Sequence, residues 1–172
     1  MYKDKRYNDD PLNIGVKGLP EHYPTPNVND MLFYIQRNQN ENTVIYKINV
    51  STDGSLDREH PFEVYWKNYD CKKPDSKINL IQQKLAYGVQ YDFITDDLIE
   101  INIVSYPIYK IMISRNYNGE WGSYSKISGS WANLTNVYVY AEEFGAFPVV
   151  KYLELYGTRT SDSMPCYEKI II

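Results

Sequence analysis

From Met31 onward the chain follows a period of two. Val44, Tyr46, Ile48 and Val50 alternate with Thr43, Ile45, Lys47 and Asn49, after which Asp53-Gly54 supplies turn chemistry. Phe62, Val64 and Trp66 alternate with Glu63, Tyr65 and Lys67, and Ile99, Ile101 and Ile103 alternate with Glu100 and Asn102. Such runs predict strands with one buried and one wetted face. Tyr109, Ile111 and Ile113 carry the pattern to Asn118-Gly119, a strong hairpin signal. Further strands are expected over about 134–141 and 149–156, and the chain closes on Tyr167-Glu-Lys-Ile-Ile-Ile172, whose isoleucines require a paired, covered strand.

One segment breaks the alternation. Ile78, Ile81, Gln82 and Leu85 recur at spacings of three and four, which predicts a short helix over about 78–86 with Gly88 as its C-terminal cap. Strands recurring every 8–12 residues between Gly, Asn, Asp and Pro turns predict a mainly β fold. The expected architecture is an antiparallel barrel or sandwich of about 8–10 strands with that one helix. Residues 1–30 hold Pro11, Pro20, Pro24 and Pro26 and no sustained period, so they read as an extended N-terminal arm before a single β domain over 31–172.

Composition narrows the function classes. At 172 residues the chain can bury a core without a metal or a disulfide framework. Its net charge of −4 and pI near 5.2 argue against a nucleic-acid partner. Eighteen Tyr make it tyrosine-rich, which suits both half-buried sheet surfaces and polar recognition faces. There is no apolar run of transmembrane length, and the first ten residues lack the apolar stretch of a secretory signal, so the chain as written reads as cytoplasmic. Cys71 and Cys166 stand too far apart for a cysteine zinc motif, and whether they pair is left open.

The run Met31-Leu-Phe-Tyr-Ile-Gln-Arg37-Asn-Gln-Asn-Glu-Asn42-Thr-Val-Ile-Tyr46 is followed by Asp53-Gly54-Ser-Leu-Asp57, Pro61, Val64-Tyr-Trp66 and Ala86-Tyr87-Gly88. It resembles the family called domain of unknown function forty-eight thirty-three, small proteins mainly of Bacteroides-type gut bacteria. The resemblance covers about residues 31–172 and is most specific at Phe33-Tyr34, Arg37-Asn38 and Tyr65-Trp66. It implies no activity, cofactor or partner. It does imply a periplasmic or cell-envelope location if the N-terminus has been shortened.

Candidate chemistry is sparse. Ser123-Tyr-Ser-Lys126 matches Ser-x-x-Lys literally but falls in an expected strand without the partner motifs, and only His22 and His60 are available as bases. Cys71, between Asp70 and two lysines, is weighed as a nucleophile against a bystander thiol. Asn49, Ser51, Asp53 and Asp57 place oxygens at alternate positions around Gly54, as calcium loops do; the competing reading is a hairpin loop that needs Gly54 at positive φ, and no metal is expected. Glu142-Glu143, Asp96-Asp97, Glu63, Glu100 and Glu154 read as solvated faces and turns. Trp121 and Trp131 read as a ligand rim or as caps on the sheet end.

The remaining lead is aromatic and guanidinium. Arg37 lies near Tyr34, Tyr46 and Asn38, Asn40 and Asn42, while Trp66 adjoins Tyr65 and Tyr69. A guanidinium grips a carboxylate or stacks on a ring, and indole and phenol faces stack on sugars. The first expectation is a non-catalytic β domain binding a small molecule or glycan through Arg37, Tyr46, Trp66 and Tyr87, with no cofactor. The second is a structural or interaction module pairing through a sheet edge or the arm. The third is a carboxylate-dependent hydrolase, whose two carboxyls sequence cannot place. The oligomeric state is left open.

Overall fold

In the computed structural model of the chain, the residues described are 25–38, 43–68, 74–145 and 147–172. The arm up to residue 24, with His22, and the segments holding Asn40, Asn42, Tyr69 and Cys71 lie outside them. The described strands run β1 Met31–Arg37, β2 Thr43–Ile48, β3 Phe62–Lys67, β4 Ser76–Lys77, β5 Val89–Thr95, β6 Leu98–Ile103, β7 Ile111–Arg115, β8 Trp121–Ile127, β9 Ser130–Phe144, β10 Phe147–Arg159 and β11 Pro165–Ile171. Between β4 and β5 lies the helix α1, Leu80–Gln82, which widens into a π turn over Gln83–Tyr87. The protein is mainly β, as the alternation predicts, and its eleven strands curl into a half-barrel.

The sheet order is β4-β3-β2-β1-β9-β8-β7-β6-β5, with β10 and then β11 on the other edge of β9. Most pairs are antiparallel. The exception is β1, which lies parallel to β9 with Tyr34 opposite Asn136 and Arg37 opposite Val139. β8 pairs with an earlier stretch of β9, Ser130 to Asn133. Two strands thus follow one another along the same edge of β9. Ser123 closes that junction: fully buried, it directs its hydroxyl at the Leu32 carbonyl (3.0 Å) and the Leu134 carbonyl (2.9 Å).

The core is the common interior of this curl. Phe33 and Ile35, Val44, Tyr46 and Ile48, Trp66, Ile99 and Ile101, Ile111 and Ile113, and Ile127 all point into it. The inward positions on β9 are Ala132 and Leu134, then Val137, a step of three. A bulge opposite Tyr156/Gly157 leaves Thr135 as the extra residue, and that residue swaps the faces of everything after it.

A wetted outer face, expected from the alternation, is absent on β1 and β2 and on the stretches of β9 and β10 around Tyr138 and Glu154. Tyr34, Gln36, Thr43, Ile45, Tyr138, Tyr152, Glu154 and Tyr156 on that face are buried as well. Glu154, read from sequence as a solvated carboxylate, is 4% exposed and accepts from the Tyr156 hydroxyl at 2.6 Å. Gln36 donates to Thr43 Oγ1, and Tyr140 stacks on Tyr152 at 4.8 Å. Tyrosine explains the difference. A ring with one hydroxyl is buried without penalty where that hydroxyl finds a partner, so in sequence it scores as polar while in space it packs.

Candidate functional site

The helix segment is built to be held against the barrel end. Asn79 caps it: its side chain accepts from Gln82 N at 2.8 Å, and Gln82 Oε1 answers by accepting from Asn79 N at 3.3 Å. The same Gln82 oxygen accepts from the Trp66 indole N–H at 3.2 Å. One side chain therefore both caps the helix and ties it to β3. The π turn brings Gly88 so close to the Gln83 carbonyl that a Cβ would sit 1.8 Å from its oxygen. Gly88 has φ −59°, so it is required for this close approach and not as the left-handed cap the spacing suggested.

The turn delivers Tyr87 into the barrel mouth, where the residues singled out from sequence meet. Tyr87's hydroxyl accepts from the Arg37 guanidinium, and Arg37 Cζ lies 5.8 Å from the centre of its ring. The buried Tyr46 hydroxyl donates to the Tyr87 carbonyl at 2.9 Å, and Tyr46 itself stacks on Phe33 at 4.5 Å. Trp66 meets Tyr87 edge to face at 5.1 Å. Arg37, Tyr46, Trp66 and Tyr87 thus form one packed cluster, a plug in the mouth. Burial pushes the phenols of Tyr46 and Tyr87 above the ordinary tyrosine value, with Arg37 pulling Tyr87 part of the way back. Asn38, grouped with Arg37 in sequence, is buried and brackets Ala141 with two hydrogen bonds of 2.8 and 2.9 Å, which extends the β1–β9 pairing.

Beside the plug the barrel stays open. β4 covers β3 only at Tyr65 and Trp66. The edge of β3 at Phe62–Val64 and the edge of β5 at Val89–Tyr91 face each other across a cleft of about 400 Å³. Phe62 and Tyr91 touch across it edge to face at 5.5 Å. It is lined by the aromatic residues Phe62, Tyr65 and Tyr91, the carboxylates Glu59 and Glu63, and Lys77, His60 and Gln83. The plug residues themselves do not line it, but their chain neighbours Tyr65 and Gly88 do. Tyr91 could have been found from sequence: Val89, Tyr91 and Phe93 alternate with Gln90 and Asp92, which is a strand signal. Tyr65 could not, because in its own strand it alternates as an outward position.

The other candidates fall into structural roles. In the loop after β2, Asp53 accepts from Ser51 and from Ser55 N and Oγ, and these donors hold its carboxyl far below the usual range. Asp57 accepts from Glu59 N and His60 N, and the Asn49 amide donates to the His60 carbonyl at 2.7 Å. The oxygens that resembled a calcium loop are spent on the loop's own donors, and Gly54 sits at φ +83°. Among the described residues no group of three or more His, Cys, Asp or Glu is gathered for a metal ion. Ser123 and Lys126 point to opposite faces of β8, so the Ser-x-x-Lys match makes no dyad. Trp121 packs half-buried against the core, while Trp131 is 48% exposed with Lys126 Nζ 5.9 Å from its ring centre. Glu63, Glu100 and Glu142 face Lys47, Lys110 and Lys151, and Asp96 and Asp97 face Arg58 and Arg115. Cys166 is a buried, free thiol whose pKa is raised by burial.

Compared with known proteins, the chain matches one family model, described as Domain of unknown function (DUF4833), over residues 33–169. No curated protein and no solved structure matches it.

Proposed function

We propose a non-catalytic ligand-binding role for this chain, which belongs to the DUF4833 family. The ligand class that suits the seam cleft is a monosaccharide or short glycan. The observation that carries this reading is the composition of the cleft. Phe62, Tyr65 and Tyr91 line it beside carboxylate acceptors at Glu59 and Glu63 and the polar residues Lys77 and Gln83, in a volume of about 400 Å³. Small-ligand sites have this make-up and a comparable size, with apolar area for contact and a few polar groups for orientation. Arg37, Tyr46, Trp66 and Tyr87 act in this reading as positioning residues. They fix the π turn, and through it Gly88 and Val89 on one wall and Tyr65 on the other.

Isothermal titration of the full chain against a panel of neutral, acidic and amino sugars tests the proposal. Binding is expected for at least one member, with Tyr65→Ala and Tyr91→Ala each weakening it at least tenfold. Tyr87→Phe, which removes the Arg37 hydrogen bond from the plug, is expected to weaken it less than either alanine does. Silence across the panel, or binding indifferent to both alanines, overturns the reading.

A second reading, pairing with another chain through a sheet edge, is supported by β11. Among the described residues β11 hydrogen-bonds as a strand only to β10, and it ends on Ile171 and Ile172, 71% and 59% exposed.

A further inference from the structure

The end of the barrel that Tyr87 plugs carries an apolar surface on its outer side. Leu80 and Ile81 are 71% exposed and Leu85 is 72% exposed. The opposite side of the same segment is committed inward: Gln82 to Trp66, Tyr87 to Arg37 and Tyr46, and Ile78 against the core. The segment therefore cannot roll over to bury its leucines without dismantling the plug. The loop between β6 and β7 continues the surface. It is pinned to the segment by Val104 N to the Gly88 carbonyl at 2.9 Å and by Ser105 Oγ to the Ala86 carbonyl at 2.6 Å, and it presents Ile108, 78% exposed. The segment thus carries three large exposed aliphatic side chains within six residues, and the adjoining loop carries a fourth. A monomer normally keeps such side chains scattered.

The segment that carries the exposed aliphatic side chains holds lysines and no carboxylate of its own. Acidic residues outnumber basic ones, 22 to 18, in the whole chain. Residues 76–88 and 104–110, however, contain Lys77, Lys84 and Lys110 and neither Asp nor Glu. Lys110 is engaged on β6, donating to Asn102 Oδ1 at 3.1 Å with the Glu100 carboxylate 3.9 Å away, which leaves the lysines of the segment itself. We infer that this end of the protein docks on an anionic lipid surface, with Ile81, Leu85 and Leu80 entering the headgroup boundary and Lys84 of the same segment meeting lipid phosphates. Exposed aliphatic residues flanked by lysines on a segment lying flat are what interfacial binding uses. A second copy is the poorer occupant, because a twofold contact would set the same lysine-bearing patch against itself.

Lys77 also lines the seam cleft, so the test of the inference uses residues that do not. The full chain is floated with unilamellar vesicles of phosphatidylethanolamine and phosphatidylglycerol, and separately with phosphatidylcholine alone. Binding is expected to be at least tenfold stronger on the anionic vesicles and to fall in 0.5 M salt. Ile81→Ser combined with Leu85→Ser is expected to abolish it while leaving the circular dichroism spectrum and melting temperature unchanged, since both side chains already face solvent. Lys84→Glu is expected to weaken it roughly fivefold or more. Equal binding to both vesicle types, no binding to either, or binding unchanged in the double variant overturns the inference. So does a concentration-dependent dimer in light scattering that the double variant abolishes. Tyr65→Ala, which tests the cleft, is expected to leave flotation unaltered, so the two proposals fail separately.

Discussion

At the scale of single residues, the polar groups inside this barrel do joining work. Ser123 supplies a hydroxyl where two strand ends meet on one neighbour, within hydrogen-bond reach of both the Leu32 and Leu134 carbonyls. Ser123→Ala is expected to lower unfolding free energy by about 1–3 kcal/mol, the cost of leaving a buried acceptor without its donor, in urea titrations of the full chain. Conservative replacement by Thr crowds the junction and is expected to recover little. The sequence nominated Arg37, Tyr46, Trp66 and Tyr87 as ligand contacts for their ring and guanidinium chemistry; the structure brings the four together, packed against one another. The sequence was silent on Ser123, because a serine at an inward position carries no sign of which carbonyls surround it. It misplaced Glu154 because a carboxylate between tyrosines reads as surface until the hydroxyl that satisfies it is known.

At the scale of elements, periodicity located the short helix but not its form. The spacing of Ile78, Ile81 and Leu85 implied an apolar face turned inward; instead Ile81 and Leu85 face solvent, and Gln82 and Tyr87 make the attachments. Long-range hydrogen bonds to Trp66 and Tyr46 outweighed burial of two aliphatic side chains, and a π turn was the geometry that allowed it. Gly88 is the residue on which that geometry depends. Gly88→Ala is expected to force the Gln83 carbonyl away, unseat Tyr87 and cost about 2 kcal/mol or more, with a shift in tryptophan emission as the edge contact to Trp66 loosens. The hairpin signal at Asn118-Gly119 held as an element and differed in detail. Gly119 alone is left-handed, at φ +83°, and Asn116 N–H pairs with the Glu120 carbonyl, so the turn carries a glycine bulge. Strands β9 and β10 escaped a simple reading for a related reason: one extra residue reverses the face of every position beyond it, and nothing in composition announces the insertion.

At the scale of the molecule, the many buried phenols set a shared response to alkali. Tyr109, whose hydroxyl donates to Ser125 at 2.5 Å, has its pKa pushed up to about 12, mainly by burial. Tyr46, Tyr65 and Tyr87 shift in the same direction. The folded state favours the neutral phenol, whereas the unfolded chain ionises near pH 10. Stability is therefore full below about pH 10 and falls as pH rises toward 12, with Tyr109 alone accounting for on the order of 2–3 kcal/mol across that window. Melting temperature against pH is expected to break downward near 10, and Tyr109→Phe to flatten part of that descent.

The parallel pairing of β1 with β9 has a consequence for how the chain comes to its final state. The first strand waits for a partner about a hundred residues later, so β1 to β3 keep an open edge until the middle of β9 has been made. Closing so long a loop is slow, and amino-terminal fragments that stop short of residue 139 retain that edge. Limited proteolysis of a fragment ending before residue 139 is expected to cut β1 to β3 faster than in the full chain.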